Sequence, residues 1–522
     1  MPSSTAKEAL APAPPLLARE EPPATRQSYG QIIKSSALIG GSSVINIGLG
    51  IVRAKAMALM LGPAGIGLLG IYSSIADLAR TIAGMGINNS GVRQIAEATG
   101  TGDAQRIART VITLRRVALL LGILGALLLV AFCVPIARLS FKDSQQFSQV
   151  AWLGLAVLFG AVSSGQMALV QGMRRIGDLA RVNVLGSFYG LLVSLPLVYC
   201  YGKAGVVPSL VAAAGLGVVV SWWYSRKIRV PPVAMRLADV SHEASELLRL
   251  GFVFMASGFM TMAVGYFVRV IVLRRLGEVE AGYYQAAWTL AGLYVGIILQ
   301  SMAADFFPRL TAVAQDDAET NRLVNEQAEV GMLIGAPGVM ATLTFAPLII
   351  ELFYSTKFGP AVEILRWICL GMTLRVATWP MGFIPVARGA RRVFFWAEVG
   401  GNLLQMALAY VGIMQFGLNG TGIGFFASYV IFSALVYAIV RSMSGFRWSA
   451  INKKIGLLYS SAITMVFVAW YVLPRPAMIT LGAVLTLASS FYSLKALCQL
   501  IPLERLPRIV RQVVTFTGIR VG

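Results

Sequence analysis

Arg53-Ala54-Lys55-Ala56-Met57-Ala58-Leu59-Met60-Leu61-Gly62-Pro63-Ala64-Gly65-Ile66-Gly67 ends one apolar run and starts the next, and its reading decides the fold. The second run, Leu68 to Ile87, carries Asp77 and Arg80 near its middle. An echo lies about 215 residues later, where Arg269, Arg274 and Arg275 close an apolar run, Leu276-Gly277-Glu278-Val279-Glu280-Ala281-Gly282 turns the chain, and Tyr283 to Ala304 follows. Two further echoes keep the same order. Arg93-Gln94-Ile95-Ala96-Glu97-Ala98, then Gly102-Asp103 and Arg106, returns as Arg309-Leu310-Thr311-Ala312-Val313-Ala314, then Asp316-Asp317 and Arg322. Pro135 through Leu139-Ser140-Phe141-Lys142 returns as Pro347 through Leu352-Phe353-Tyr354-Ser355-Thr356-Lys357. Three echoes in register describe two homologous halves.

The chain has 522 residues, 57% of them hydrophobic and 13% charged, with a mean hydropathy of +0.72. Soluble domains carry about 25% charged residues, so the chain reads as a membrane protein. A spanning helix needs about 20 mostly apolar residues. The chain offers about 14 such runs between Ile32 and Leu500, predicting helices at 32–55, 65–88, 115–137, 148–170, 181–201 and 205–225, then 248–275, 282–305, 328–354, 361–386, 396–416 and 420–441, with a last pair at 454–473 and 477–500. The expected fold is all-α and polytopic. Six helices per half is an even number, so the two bundles (32–225 and 248–441) face the same way about an axis along the membrane normal, and an additional helix pair occupies 442–500. Residues 1–31 read as a disordered cytoplasmic tail rather than a signal peptide, 226–247 as a cytoplasmic linker, and 501–522 as a basic cytoplasmic tail.

The net charge of +21 does not form one patch; it lies in short clusters between apolar runs, which argues against nucleic acid. With both termini cytoplasmic, 31 of the 44 Lys and Arg fall on the cytoplasmic side, 9 on the other and 4 inside helices (Arg80, Arg269, Arg366, Arg375). That bias satisfies the positive-inside rule. Cys133, Cys200, Cys369 and Cys498 lack metal-ligand spacing and imply neither disulfides nor zinc. His242, beside Asp239, Glu243 and Glu246, reads as a solvated linker residue. Gly65-x-Gly67-x-x-Gly70 matches a dinucleotide motif by letter only, since no strand precedes it. No Walker A sequence occurs, and no cofactor or metal is expected.

Gly62-Pro63-Ala64-Gly65-Ile66-Gly67, Gly84-Met85-Gly86-Ile87-Asn88-Asn89 with Arg93, Phe307-Pro308-Arg309-Leu310, the Lys357-Phe358 turn and Phe395-Trp396-Ala397-Glu398-Val399 resemble Wzx-type flippases of lipid-linked oligosaccharides. These belong to the multidrug, oligosaccharidyl-lipid and polysaccharide exporter superfamily. The resemblance covers about Ile32 to Arg441. The long N-terminal tail and the last helix pair depart from it, and a 14-helix plan looks more like the lipid II flippases of that superfamily. The resemblance implies a non-enzymatic flippase of the bacterial inner membrane. Its substrate would be a polyprenyl-diphosphate oligosaccharide, moved from the cytoplasmic to the periplasmic leaflet for cell-surface polysaccharide synthesis. Membrane lipids would be its other partners, and loops and tails leave room for other polysaccharide assembly proteins.

A charge in the bilayer costs about 2.5–3.5 kcal/mol on insertion scales, so it persists where it faces a cavity or a partner. Arg53, Lys55, Arg80, Arg269 and Arg375 are the candidates for a cationic cavity, because a guanidinium fork suits a diphosphate. Each has a plainer reading. Arg53 and Lys55 can snorkel at a helix end. Arg80 can pair with Asp77 three residues away, as Arg366 can with Glu363. Asp77, Asp305 and Glu351 are candidates for binding Na⁺ or H⁺, with a structural salt bridge as the alternative. Two other functions compete. A membrane glycosyltransferase or polymerase would need large outward loops, whereas those here are short. A drug or small-cation exporter would want an acidic cavity, whereas this chain favours arginine.

Overall fold

The computed structural model describes residues 23–101, 103–141, 144–228, 231, 233 and 237–500, and every regular element among them is helical. The expected terminal tails lie largely outside the described residues. Seven helical segments among those described are long and apolar enough to cross a membrane, and up to nine if each of two sharply bent pairs is one span.

The opening turn is a break inside one long helix, α1 (Pro23–Gly84). Gly62 interrupts it with φ 64° and ψ −173°, a conformation a side chain disfavours. Pro63 restarts it, because the first helical position needs no N–H. The chain turns again at Met85 and Gly86, and α2 (Ile87–Thr101) runs where a loop was expected. Next come α3 (Ala104–Ala131) and the short α4 (Cys133–Ser140), which divide the single helix predicted at 115–137. α5 (Phe147–Gly172), α6 (Ile176–Tyr201) and α7 (Val206–Ser225) complete this part, with a 3₁₀ turn at Gly202–Gly205 joining the last two.

α8 (Leu237–Arg275) begins well before residue 248, which puts His242 in a helix and not in an extended linker. Beyond it lie α9 (Glu278–Ala312), α10 (Asp317–Thr344), α11 (Ala346–Phe353), α12 (Ala361–Ala387), α13 (Arg391–Phe416) and α14 (Gly420–Ser444), then α15 (Ala450–Val472) and α16 (Arg475–Leu500). α10 and α11 meet at 81°, so the helix predicted at 328–354 is also broken. The Asp echoes have a local cause. Asp103 accepts from the backbone N–H of Gln105 and Arg106, and Asp316 from Ala318 and Glu319, so each caps the helix that follows.

Buried side chains form three clusters. The largest joins α1, α5, α8, α9, α10, α12 and α15 through residues such as Ile71, Leu153, Val272, Ala286, Leu343 and Ile368. It lies toward the Gly62 and Gly277 turns. At the opposite end the core divides. Ile95, Leu114, Leu169 and Leu247 form one cluster, and Phe306, Leu323, Ile384 and Phe446 another. The molecule is thus joined at its turn end and split at the other.

The joint is close because its contacts are backbone to backbone. A Cβ on Gly67 would strike the carbonyl oxygen of Glu278, and one on Gly282 that of Pro63. Gly282 lies 215 residues after Gly67 and Glu278 215 after Pro63, so the contact is reciprocal about the repeat. Lys203 adds an ion pair to Glu278 at 2.7 Å, Lys55 donates to the Glu351 carbonyl at 2.6 Å, and the Ser140 and Tyr266 hydroxyls meet at 2.7 Å. At the split end the start of α8 bridges to the first half: Gly86 abuts Gly251, Thr113 donates to Glu243 at 3.2 Å, and Leu247 is buried among Ile95, Leu114 and Leu169.

Candidate functional site

Between the joined end and the split end, the second arm of α1 faces α8 and α9. Gly70 comes so close to Gln285 that a Cβ would strike its carboxamide. Gln285 lies 215 residues after Gly70, so the repeat places equivalent positions face to face. Its Oε1 accepts from Arg269 Nε at 2.7 Å, and Arg269 Nη1 donates to the Gly265 carbonyl at 2.8 Å. Gln285 in turn donates to Thr289 at 3.1 Å. Nη2 of Arg269 has no hydrogen-bond partner among the described residues.

Asp77 lies on the opposite wall and interacts electrostatically with both Arg80 and Arg269. Its Oδ1 is 3.4 Å from Arg80 Nη1, so the i,i+3 pair read from the sequence is present. The pair is open, however: the Asp77 side chain is 50% accessible and that of Arg80 38%, although both sit among packed helices. Charged groups surrounded by protein yet accessible are on the wall of an internal cavity. Arg80 lines one of about 220 Å³ together with Thr81, Asn88, Asn89, Ser164 and Met255. Its Nε is buried without a partner and packs over Gly160, where a Cβ would displace it. Two guanidinium groups around one carboxylate leave a net positive charge, with donors free to meet an anion.

The remaining candidates separate from this group. Arg53 is half-buried and makes no hydrogen bond or ion pair among the described residues; it sits nine residues before Gly62, as Arg269 sits eight before Gly277, hence about 12–14 Å from the turns at 1.5 Å per residue. Lys55 is engaged at the joined end by the Glu351 carbonyl, near the close of α11. Arg375 has an acidic neighbour that local spacing hides: Glu398 of α13, with Tyr429 of α14 beside it. Asp305 pairs with Arg309 at 3.1 Å along one exposed helix face, away from Asp77. Arg366 does not pair with Glu363. It donates to the carbonyls of Leu343, Val466 and Phe467, while Glu363 accepts from Tyr471.

Sequence reasoning missed Gln285, Thr289 and Glu398. Gln285 was findable, since the 215-residue offset of the turns maps it onto Gly70. Among the described residues no group of three or more His, Cys, Asp or Glu is arranged to hold a metal ion.

Known proteins are similar to the chain as a whole. The family model for polysaccharide biosynthesis proteins matches residues 56–363. The Lipid III flippase of Escherichia coli (strain K12) is 23% identical over 406 residues, covering 77% of this chain and 97% of that relative. Among solved structures, an inward-facing multidrug resistance MATE family transporter of the MOP superfamily aligns with a TM-score of 0.66 at 17% identity, over 78% of this chain and 95% of that one. The lipid II flippase MurJ in an inward closed conformation gives 0.66 at 14% identity, over 88% and 99%. At those identities the two structures establish a shared fold.

Proposed function

The chain belongs to the polysaccharide biosynthesis protein family, and from that premise we propose that it is a flippase. It moves polyprenyl-diphosphate-linked oligosaccharide from the cytoplasmic to the periplasmic leaflet of the bacterial inner membrane. The observation that carries this reading is the open cationic group of Arg80 and Arg269 about Asp77, held between the second arm of α1 and the helices α8 and α9. A diphosphate joining lipid to sugar is the anion that two guanidinium forks would hold. Arg53, at similar distance from the turns, would extend the positive wall.

The layout follows from the repeat. We assign fourteen crossings by taking three of the long apolar segments to turn back once, at Gly62, Gly202–Gly205 and Gly417–Asn419, and α8, α12 and each bent pair to cross once. We assign residues 32–225 and 248–441 to two six-helix bundles related by the reciprocal Gly67 and Gly282 contact, with α15 and α16 added at the side. The loops and helix ends at the split end carry Arg93, Arg106, Arg174, Arg175, Arg226 and Arg388, so that end and both termini are assigned to the cytoplasm. The molecule is then closed toward the periplasm and parted toward its substrate. Transport would need the outer joint to open as the inner end closes, the bundles rocking about the anion site.

An exporter of small cations would want a net negative site, and here two arginines surround the one aspartate. The deciding experiment is leaflet translocation of a lipid-diphosphate oligosaccharide in proteoliposomes. Protein-dependent movement that Arg269→Ala abolishes is expected. No movement of any polyprenyl-linked glycan, with efflux of a cationic dye instead, would replace the flippase with the exporter.

A further inference from the structure

A second cavity, of about 550 Å³, lies on the flank of the first half between α3, α5 and α7. Its walls include Arg115 of α3, Gln166 of α5, Trp222 of α7 and Arg226 just beyond α7; none of its lining residues is acidic. The two arginines make no ion pair among the described residues. Arg226 is held in place by rings, its Cζ 3.6 Å from the centre of Trp223 and 4.7 Å from that of Trp222. At the floor, Gln166 is 9% exposed and its Oε1 accepts from Ser221 at 2.5 Å, which leaves its amide N–H donors without a partner among the described residues. Donors in a cavity without acceptors call for an anion.

The level and the outlet say which anion. Arg115 and Arg116 stand where α3 enters its apolar run, and Arg226 where α7 leaves its own, the level at which arginine and tryptophan meet lipid head groups. From the cavity mouth, Leu119, Leu120, Ile123, Leu124, Leu127 and Leu128 continue along α3, each 41–63% exposed. A phosphate beside a strip of exposed leucine spaced three and four residues apart has the shape of one lipid: head group above, acyl chain along the helix. Inward, Gly165 packs against Ala118 so closely that a Cβ would intrude, and this α3–α5 seam separates the pocket from the Arg80 cavity. An occupant therefore enters from the bilayer and returns to it.

We propose that this flank pocket binds the phosphate head group of an anionic phospholipid of the cytoplasmic leaflet. Arg115 and Arg226 clasp the phosphate, Gln166 donates from the floor, and one acyl chain lies on the leucine strip. The site is distinct from the transport path.

The test uses the full-length protein in neutral detergent, titrated with phosphatidylglycerol or phosphatidylcholine and read by native mass spectrometry. Wild type is expected to retain phosphatidylglycerol in preference to phosphatidylcholine. Arg115→Gln with Arg226→Gln should weaken that retention about thirtyfold, at roughly 1 kcal/mol per basic residue. Arg392→Gln, at an exposed arginine in the first turn of α13, should leave it unchanged, and Arg115→Lys with Arg226→Lys should restore most of it, which separates lost charge from misfolding. Equal retention of the two lipids, or no effect of the double Gln variant, overturns the proposal. Displacement of phosphatidylglycerol by equimolar polyprenyl phosphate also overturns it, making the pocket a berth for the lipid carrier.

Discussion

Two arginines of the second half show how differently one side chain can be used inside a membrane protein. Arg366 is fully buried. Its Nη1 meets the Leu343 carbonyl at 2.6 Å, its Nη2 meets Phe467 at 2.9 Å and Val466 at 3.3 Å, and its Cζ lies 4.6 Å from the Trp470 ring centre. Leu343 lies in the last turn of α10, where carbonyls lack helical donors and the helix dipole is negative, while Val466 and Phe467 lie just before the last turn of α15. Arg366 thus stitches α15 to α10 and α12. Arg269 has a carboxamide and one carbonyl, an aspartate across the gap, and a nitrogen left over. Both Nη groups of Arg366 are engaged by backbone carbonyls, with Nε buried and unpartnered, whereas Arg269 keeps Nη2 without a hydrogen-bond partner among the described residues beside Asp77.

The sharpest way to break this contrast is Arg366→Ala. It strands the Leu343 carbonyl, removes the tie to the Val466 and Phe467 carbonyls and empties a packed site, so we expect a loss of about 3–5 kcal/mol, read as a large fall in thermal midpoint in detergent. If Arg366→Ala unfolds normally but fails to transport, the structural reading of Arg366 is wrong. Arg269→Ala should do the converse. Translocation in proteoliposomes should fall about a hundredfold, near 2.7 kcal/mol of lost anion binding, with the thermal midpoint almost unmoved.

Asp77→Asn asks whether the aspartate restrains the arginines. Removing its charge leaves Arg80 and Arg269 with more free donor capacity, so binding of an inorganic pyrophosphate probe should tighten several-fold. Weaker binding would mean that Asp77 positions the guanidinium groups more than it competes for them. The smallest effect is expected at the outer joint. Lys203–Glu278 is an exposed ion pair, worth about 0.2–1 kcal/mol. Glu278→Gln should raise labelling of a cysteine placed in the outer turn by no more than about fivefold, whereas Gly282→Leu, which collides with Pro63, should raise it much further.

Much of the scaffold was legible because helices and turns follow local rules. The Gly62 and Gly277 turns, the 3₁₀ turns at Gly202 and Gly417 and the Asp caps are set by residues within a few positions. The breaks at Phe132 and Phe345 were not: the apolar pattern runs through both, and a hydrophobic run looks the same straight or bent. The starts of α8 and α10 were also missed, because their first turns are polar and lie beyond the apolar stretch that marks a span. Of the candidate site, the Asp77–Arg80 pair was readable from its i,i+3 spacing. The same spacing misled at Glu363 and Arg366, where backbone carbonyls of other helices supplied partners in place of the neighbour on the same helix.

By itself the sequence determined that the chain is a membrane protein, that it repeats, and which few charges interrupt its apolar runs. Those properties depend on composition and on order along the chain. Only the tertiary structure decided which charges meet. Asp77 and Arg269 are 192 residues apart, and Arg375 finds Glu398 on another helix. Such encounters are set by how helices cross and where glycine lets them approach. The same packing seals Arg366 against carbonyls and sets Arg269 beside Asp77 with one nitrogen short of a partner among the described residues, so partners, not residue type, separate the two.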